Sequence, residues 1–105
     1  MSAVVVFCTC PDVASAERIA AVLVGERLAA CVSRIAGVVS TYRWQDEVQR
    51  EGGILLLIKT ASERFGALRE RIVALHPHEL PEIVAVDIAA GLPAYLDWIA
   101  RETGT

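Results

Sequence analysis

Aromatic residues are scarce. Two each of Trp, Tyr and Phe make up 6% of the 105 residues. A nucleic-acid module that stacks bases on exposed rings is excluded, because the central apolar segments carry only Phe7 between them. Positive charge is lacking as well. Lys and Arg number 10 against 13 Asp and Glu, a net charge of −3, so nothing draws the chain to phosphate backbones or anionic membranes. Apolar runs are short, such as the five residues Ile54 to Ile58, against the ~20 needed to cross a bilayer. No basic segment precedes Val4-Val5-Val6-Phe7, and that run is too short for a signal-peptide core, so a cytoplasmic location is expected. Cysteines are few and odd in number: Cys8, Cys10 and Cys31 argue for reduced thiols rather than a disulfide framework. There is no G-x-S-x-G elbow, Gly-rich phosphate loop, low-complexity stretch or internal repeat.

What is present is apolar mass. Hydrophobic residues make up 54%, charged residues 22%, and the mean hydropathy is +0.46. The length suits one domain over 1–105, which buries roughly 65% of its unfolded surface. Apolar surplus without a membrane segment implies surface covered by another subunit.

Val4 to Cys8 reads as a strand buried on both faces. Pro11-Asp12 ends it, and Asp12 or Ser15 can cap a helix with the stripe Ala16, Ile19, Ala20, Leu23, running to about Leu28. Cys31 to Trp44 reads as a long strand with a bulge or kink at Gly37. Gln45-Asp46-Glu47 turns the chain, and a return strand runs through Val48 to Ile58, with Gly52-Gly53 as a second possible bulge. Ser62 is a candidate cap for a helix carrying Phe65, Leu68, Ile72 and Leu75, ended by Pro77 and Pro81. Ile83 to Ile88 is a fourth strand, and Gly91 and Pro93 introduce a helix with Tyr95, Leu96, Trp98 and Ile99. The order βαββαβ plus a terminal helix predicts an α+β, ferredoxin-like sheet in the order 4-1-3-2, with an extended hairpin between strands two and three.

The residues able to carry chemistry are Cys8, Cys10, His76 and His78, because thiols and imidazoles ligate copper and zinc. Ordinary roles compete for each: a buried core thiol for Cys8, a loop thiol for Cys10, and a helix-end hydrogen bond for His76. Tyr42 and Trp44 alternate onto one face of an edge strand, as in an interface between subunits. Lys59, ending an apolar strand, needs a counter-charge if buried, and Glu79 or Glu82 could supply it. Lys59, Glu79 and Glu82 therefore form either an ion pair or part of a ligand cleft. Asp46 and Glu47 read as solvated charge at a hairpin tip.

Cys8-Thr9-Cys10-Pro11-Asp12, Leu28-Ala29-Ala30-Cys31-Val32, Ser40-Thr41-Tyr42-Arg43-Trp44, Leu57-Ile58-Lys59-Thr60, His76-Pro77-His78-Glu79-Leu80-Pro81-Glu82-Ile83 and Tyr95-Leu96-Asp97-Trp98 occur in that order. Together they resemble the CutA family, the divalent-cation tolerance proteins, over about Val4 to Trp98. The resemblance implies a ferredoxin-like subunit in a cytoplasmic homotrimer, similar in shape to the PII signalling proteins, with no established catalytic reaction. It also implies copper or other divalent metal binding, with Cys8 and His76 as family-matched ligands. Leu75 stands where the family has the first of two histidines, and His78 stands in place of a tyrosine; His78 or Cys10 could substitute as the third ligand. An alternative within the same likeness is a PII-like sensor that takes an anionic metabolite in inter-subunit clefts through Lys59 and Arg43.

Overall fold

The computed structural model of the chain describes residues 2–105. The elements run β1 (Ala3–Cys10), α1 (Val13–Gly25), β2 (Cys31–Trp44), β3 (Glu47–Ala61), α2 (Phe65–Leu75), β4 (Val84–Asp87) and α3 (Pro93–Glu102). A single 3-10 turn, Ser62–Arg64, leads into α2. The four strands form one antiparallel sheet in the order β2-β3-β1-β4, which is the expected ferredoxin-like arrangement.

Strand alternation decides what the sheet buries. Val4, Val6, Cys8 and Cys10 of β1 and Ile54, Leu56 and Ile58 of β3 turn to one face. There they meet Ala16, Ile19 and Leu23 of α1 and Leu68 and Ile72 of α2, forming the main core. α3 closes one end of the sheet around Ile99, with Ala3 and Ala30. The other face carries Val5 and Phe7 of β1, Leu55, Leu57 and Lys59 of β3, Ser33 and Ile35 of β2, and Val84 and Val86 of β4. The chain leaves this face open: Val84 is 53% and Val86 52% exposed.

Asp12 caps α1 by accepting the Ser15 backbone N–H at 2.7 Å, and Ser15 lies inside the helix. α1 stops at Gly25, before the expected Leu28. Both Leu28 and Ala29 donate to the Leu23 carbonyl, and Arg27 takes a φ of 60°, so the chain reverses where the sequence pattern alone would continue the helix. The expected bulge falls at Gly37, where a φ of 81° requires glycine and the register shifts between Ala36 and Val38. Its consequence is a change of parity. Ile35 before the bulge and Val38, Ser40, Tyr42 and Trp44 after it stay on the same, open face.

Gly52 and Gly53 make no second bulge, since they pair in register with Val39 and Val38. Gly53 has a different role. A Cβ there would lie 2.6 Å from the Cys10 carbonyl oxygen, so glycine permits β3 to pass close under the end of β1. The hairpin turns on Gln45 and Asp46, both at positive φ, which makes Glu47 the first residue of β3 rather than part of the turn. Ser62 starts the 3-10 turn without capping it; its hydroxyl instead meets that of Ser2 at 2.6 Å. β4 is two residues shorter than expected, because Ile83 and Ile88 flank it outside the ladder.

Candidate metal centre

A C-x-C pair on a strand places both thiols on one side of it. Cys8 and Cys10 therefore point together into the helix-covered face, where both are fully buried. α2 ends beside them: Pro77 forbids continuation, and His76 leaves the helix with extended backbone. The sulphurs of Cys8 and Cys10 and a ring nitrogen of buried His76 lie within 4.8 Å of one another. Cys10, read from sequence mainly as a loop thiol, thus belongs to the cluster; the spacing of two along a strand was the signal that could have placed it.

The hydrogen bonds of His76 fix its proton. Nδ1 accepts the backbone N–H of His78 at 3.1 Å, so the ring proton sits on Nε2 and is donated to the Thr9 carbonyl at 2.7 Å. Burial pushes His76 below its ordinary value, the Thr9 carbonyl partly opposes this, and nearby His78 adds to it. The Cys8 thiol points to the Thr9 carbonyl at 4.0 Å, with the Cys10 sulphur close by. Cys8 is pushed far above the thiol range by its interaction with the Cys10 sulphur, then by burial and by the charges of Cys10 and Glu82. Cys10 is held lower by the Cys8 thiol beside its sulphur, against the effects of burial and Asp12.

Two sulphurs and an imidazole suit copper or zinc. An ion about 2.3 Å from each sulphur spans thiolates at most ~4.6 Å apart, so the cluster needs only small adjustment. His76 joins it only by exchanging one of its two ring hydrogen bonds for the metal. His78 stands outside the donor cluster; its ring centroid lies 5.0 Å from that of His76, and its backbone steadies the His76 ring.

Beside the cluster, a cavity of about 630 Å³ opens between the hairpin and the loop after α2. Its walls include Tyr42, Trp44, Glu51, His78, Glu79 and Glu82. Neither Lys59 nor Arg43 lines it. The register explains why: Lys59 lies across the sheet from Cys31 and Val5, four residues along β3 from Leu55, the partner of Thr9. Glu82 instead meets the Thr9 hydroxyl at 3.5 Å. Arg43 points to the face of the hairpin opposite Tyr42 and Trp44. The expected grouping of Lys59 and Arg43 with Glu79 and Glu82 therefore does not form within one chain, whose cavity is lined by Glu51, Glu79 and Glu82 and by no Lys or Arg.

A family model described as CutA1 divalent ion tolerance protein matches residues 4–102. The divalent-cation tolerance protein CutA of Thermus thermophilus is 51% identical over 100 residues, covering 95% of this chain and 97% of that relative. Protein CutA of Mus musculus is 38% identical over 97 residues, which are 92% of this chain and 55% of the longer mouse protein. Among solved structures, CutA from Xylella fastidiosa has a TM-score of 0.95 at 50% identity, over 98% of this chain and 99% of that one. CutA from Archaeoglobus fulgidus, described as a periplasmic divalent cation tolerance protein, has a TM-score of 0.93 at 33% identity, over 96% and 98%. Sequence, fold and length agree: the chain belongs to the CutA family of divalent-cation tolerance proteins.

Proposed function

We propose that the chain is a non-catalytic metal-response protein, binding copper or another divalent metal ion at Cys8, Cys10 and His76 and working as a homotrimer. The observation that carries the metal reading is the convergence of three buried donor atoms within 4.8 Å. Thiolate and imidazole favour copper over zinc or cobalt, since divalent affinities peak at copper. Binding releases protons from the donors, so affinity falls as pH drops. A cytoplasmic setting keeps both thiols reduced and available.

The trimer reading is supported by the open face of the sheet. Val5, Phe7, Leu57, Val84 and Val86 make an apolar patch that the chain's own helices do not cover, and association around a three-fold axis would bury it. Tyr42 and Trp44 extend that face along the hairpin and belong to the same contact.

Copper titration of the native protein beside Cys8→Ser, Cys10→Ser and His76→Ala tests the site. Native protein should bind one copper per subunit, both serine variants should lose stoichiometric binding, and His76→Ala should weaken it. Native affinity and stoichiometry in all three variants, with oligomer mass unchanged, would overturn the assignment.

A further inference from the structure

Cys8 and Cys10 stand two positions apart on β1 and turn to the same face, so their side chains lie next to each other along the strand. Their sulphurs lie within 4.8 Å of one another. Two strand steps set their Cα atoms roughly 6.6 Å apart, near the upper limit that a disulfide spans. Closing that bond needs side-chain rotation and a small backbone shift. The end of the strand can supply the shift, because Cys10 is the last residue of β1 and the chain bends at once at Pro11 and Asp12. A disulfide closed at this limit is strained and readily reduced. Cys31 cannot take part. It pairs with Lys59, which pairs with Val5, and so lies on the open face of the sheet, away from the other two thiols. The way in is the cavity beside the cluster. Thr9, Cys10 and Pro11 belong to its wall together with Glu51, Glu79 and Glu82, whereas Cys8 does not. Those carboxylates repel an anionic oxidant such as glutathione disulfide and leave a small neutral one unopposed. Hydrogen peroxide is small and neutral.

We propose that Cys8 and Cys10 are an oxidisable pair, which peroxide closes into a reversible disulfide within one chain, removing two of the three donors of the metal centre. The Cys10 sulphur, on the cavity side, attacks one peroxide oxygen. The O–O bond breaks, a sulfenic acid forms, and the other oxygen leaves as water with the Cys10 proton. The Cys8 sulphur then attacks that of Cys10. An S–S bond forms, the S–O bond breaks, and the hydroxyl leaves as a second water with the Cys8 proton. One peroxide is thus reduced and two thiols are oxidised. A neutral dithiol reverses the change by thiol–disulfide exchange, becoming a disulfide itself. Metal binding needs both sulphurs as thiolates, so the oxidised chain keeps only His76 as a donor. The linkage also runs the other way, since an ion held by both sulphurs withholds them from peroxide. The disulfide stands on the strand geometry, and its effect on metal rests on the metal reading above.

The test uses the native full chain, reduced and freed of metal, and needs no variant to fold. Peroxide should remove about two thiols per subunit and about 2 Da of mass. A peptide map should join Cys8 to Cys10 with Cys31 still free, and dithiothreitol should restore the starting mass. Zinc, which has no redox chemistry of its own, is the metal probe. It should bind the oxidised chain at least about tenfold more weakly than the reduced one, and should slow oxidation of the loaded chain at least about tenfold. Cys31→Ser should keep the mass loss and Cys8→Ser should abolish it. Oxidation that falls on Cys31 while Cys8 and Cys10 stay free, or that ends in sulfinic acid on Cys10 without a disulfide, would overturn the proposal. Zinc binding unchanged by the disulfide would overturn it too. Failure of the reduced chain to bind either zinc or copper would instead remove the metal reading, and with it the switching, while the reversible mass loss would still establish the pair.

Discussion

The body and the hairpin of this molecule follow the same strand periodicity to opposite ends. In the body, every second residue of β1 and β3 is enclosed by α1 and α2, so that Val6, Leu56 and Ile58 have no exposure. Among the described residues no buried side-chain nitrogen or oxygen lacks a hydrogen-bond partner there. Beyond Gly37 the alternation continues, but no helix covers either face, and only the loop after α2 approaches one of them across the cavity. The molecule is accordingly elongated, 44 Å by 25 Å by 22 Å. The body is held by packing of its buried faces, and the hairpin by the cross-strand pairing of β2 with β3 from Val38 to Trp44.

Substitutions can break that comparison. Ile58→Ala removes a fully buried side chain from the centre of the core and should cost about 2–5 kcal/mol, lowering the melting temperature equally at every protein concentration. Gly53→Ala forces a Cβ against the Cys10 carbonyl and should cost about 1–3 kcal/mol; because it displaces Cys10, it should also weaken copper binding in a titration. Trp44→Ala lies on the hairpin, and its effect should be smaller and of another kind. The melting temperature should fall most in dilute protein, where subunits separate, and recover as concentration rises. A drop independent of concentration would make Trp44 a core residue and erase the distinction.

The smallest effect is that of pH on the body. Burial lowers the His76 pKa from 6.5, so the unfolded chain takes up a proton more readily than the folded one. This contribution to stability is complete above about pH 6.5 and is lost as pH falls from there through the lower folded value. In metal-free protein, denaturant midpoints should therefore decline over that interval, and His76→Gln should flatten the decline. An unchanged slope in the variant would mean another group titrates there.

Much of the body was legible in the sequence, because burial and periodicity are local signals. Val4 to Cys8 and Ile54 to Ile58 announced the central strands, Asp12 the helix cap, and Gly37 the bulge. Residues whose placement depends on register were harder to read. Lys59 lies one strand position beyond Ile58, yet the pairing with Val5 and Cys31 keeps it from Glu79 and Glu82. Gly53 gave the same signal as a bulge glycine, although it answers to the approach of Cys10, which no local pattern encodes. At the site, Cys8, Cys10, His76 and His78 were singled out by their chemistry and family likeness favoured Cys8 and His76, whereas the place of Cys10 beside them follows from strand parity. The two sides of the hairpin needed both the bulge and the register, since the shift at Gly37 decides which residues share a face.

The central claim is that the metal lies in the body, between β1 and the end of α2, and not in the acidic cleft beneath the hairpin. The most direct measurement is an anomalous difference map from crystals of the native protein grown with copper and collected at the copper edge. The account predicts one peak per subunit, bonded to the sulphurs of Cys8 and Cys10 with His76 beside it. A peak on Glu79, Glu82 and His78, with the Cys8 and Cys10 region empty, would contradict it.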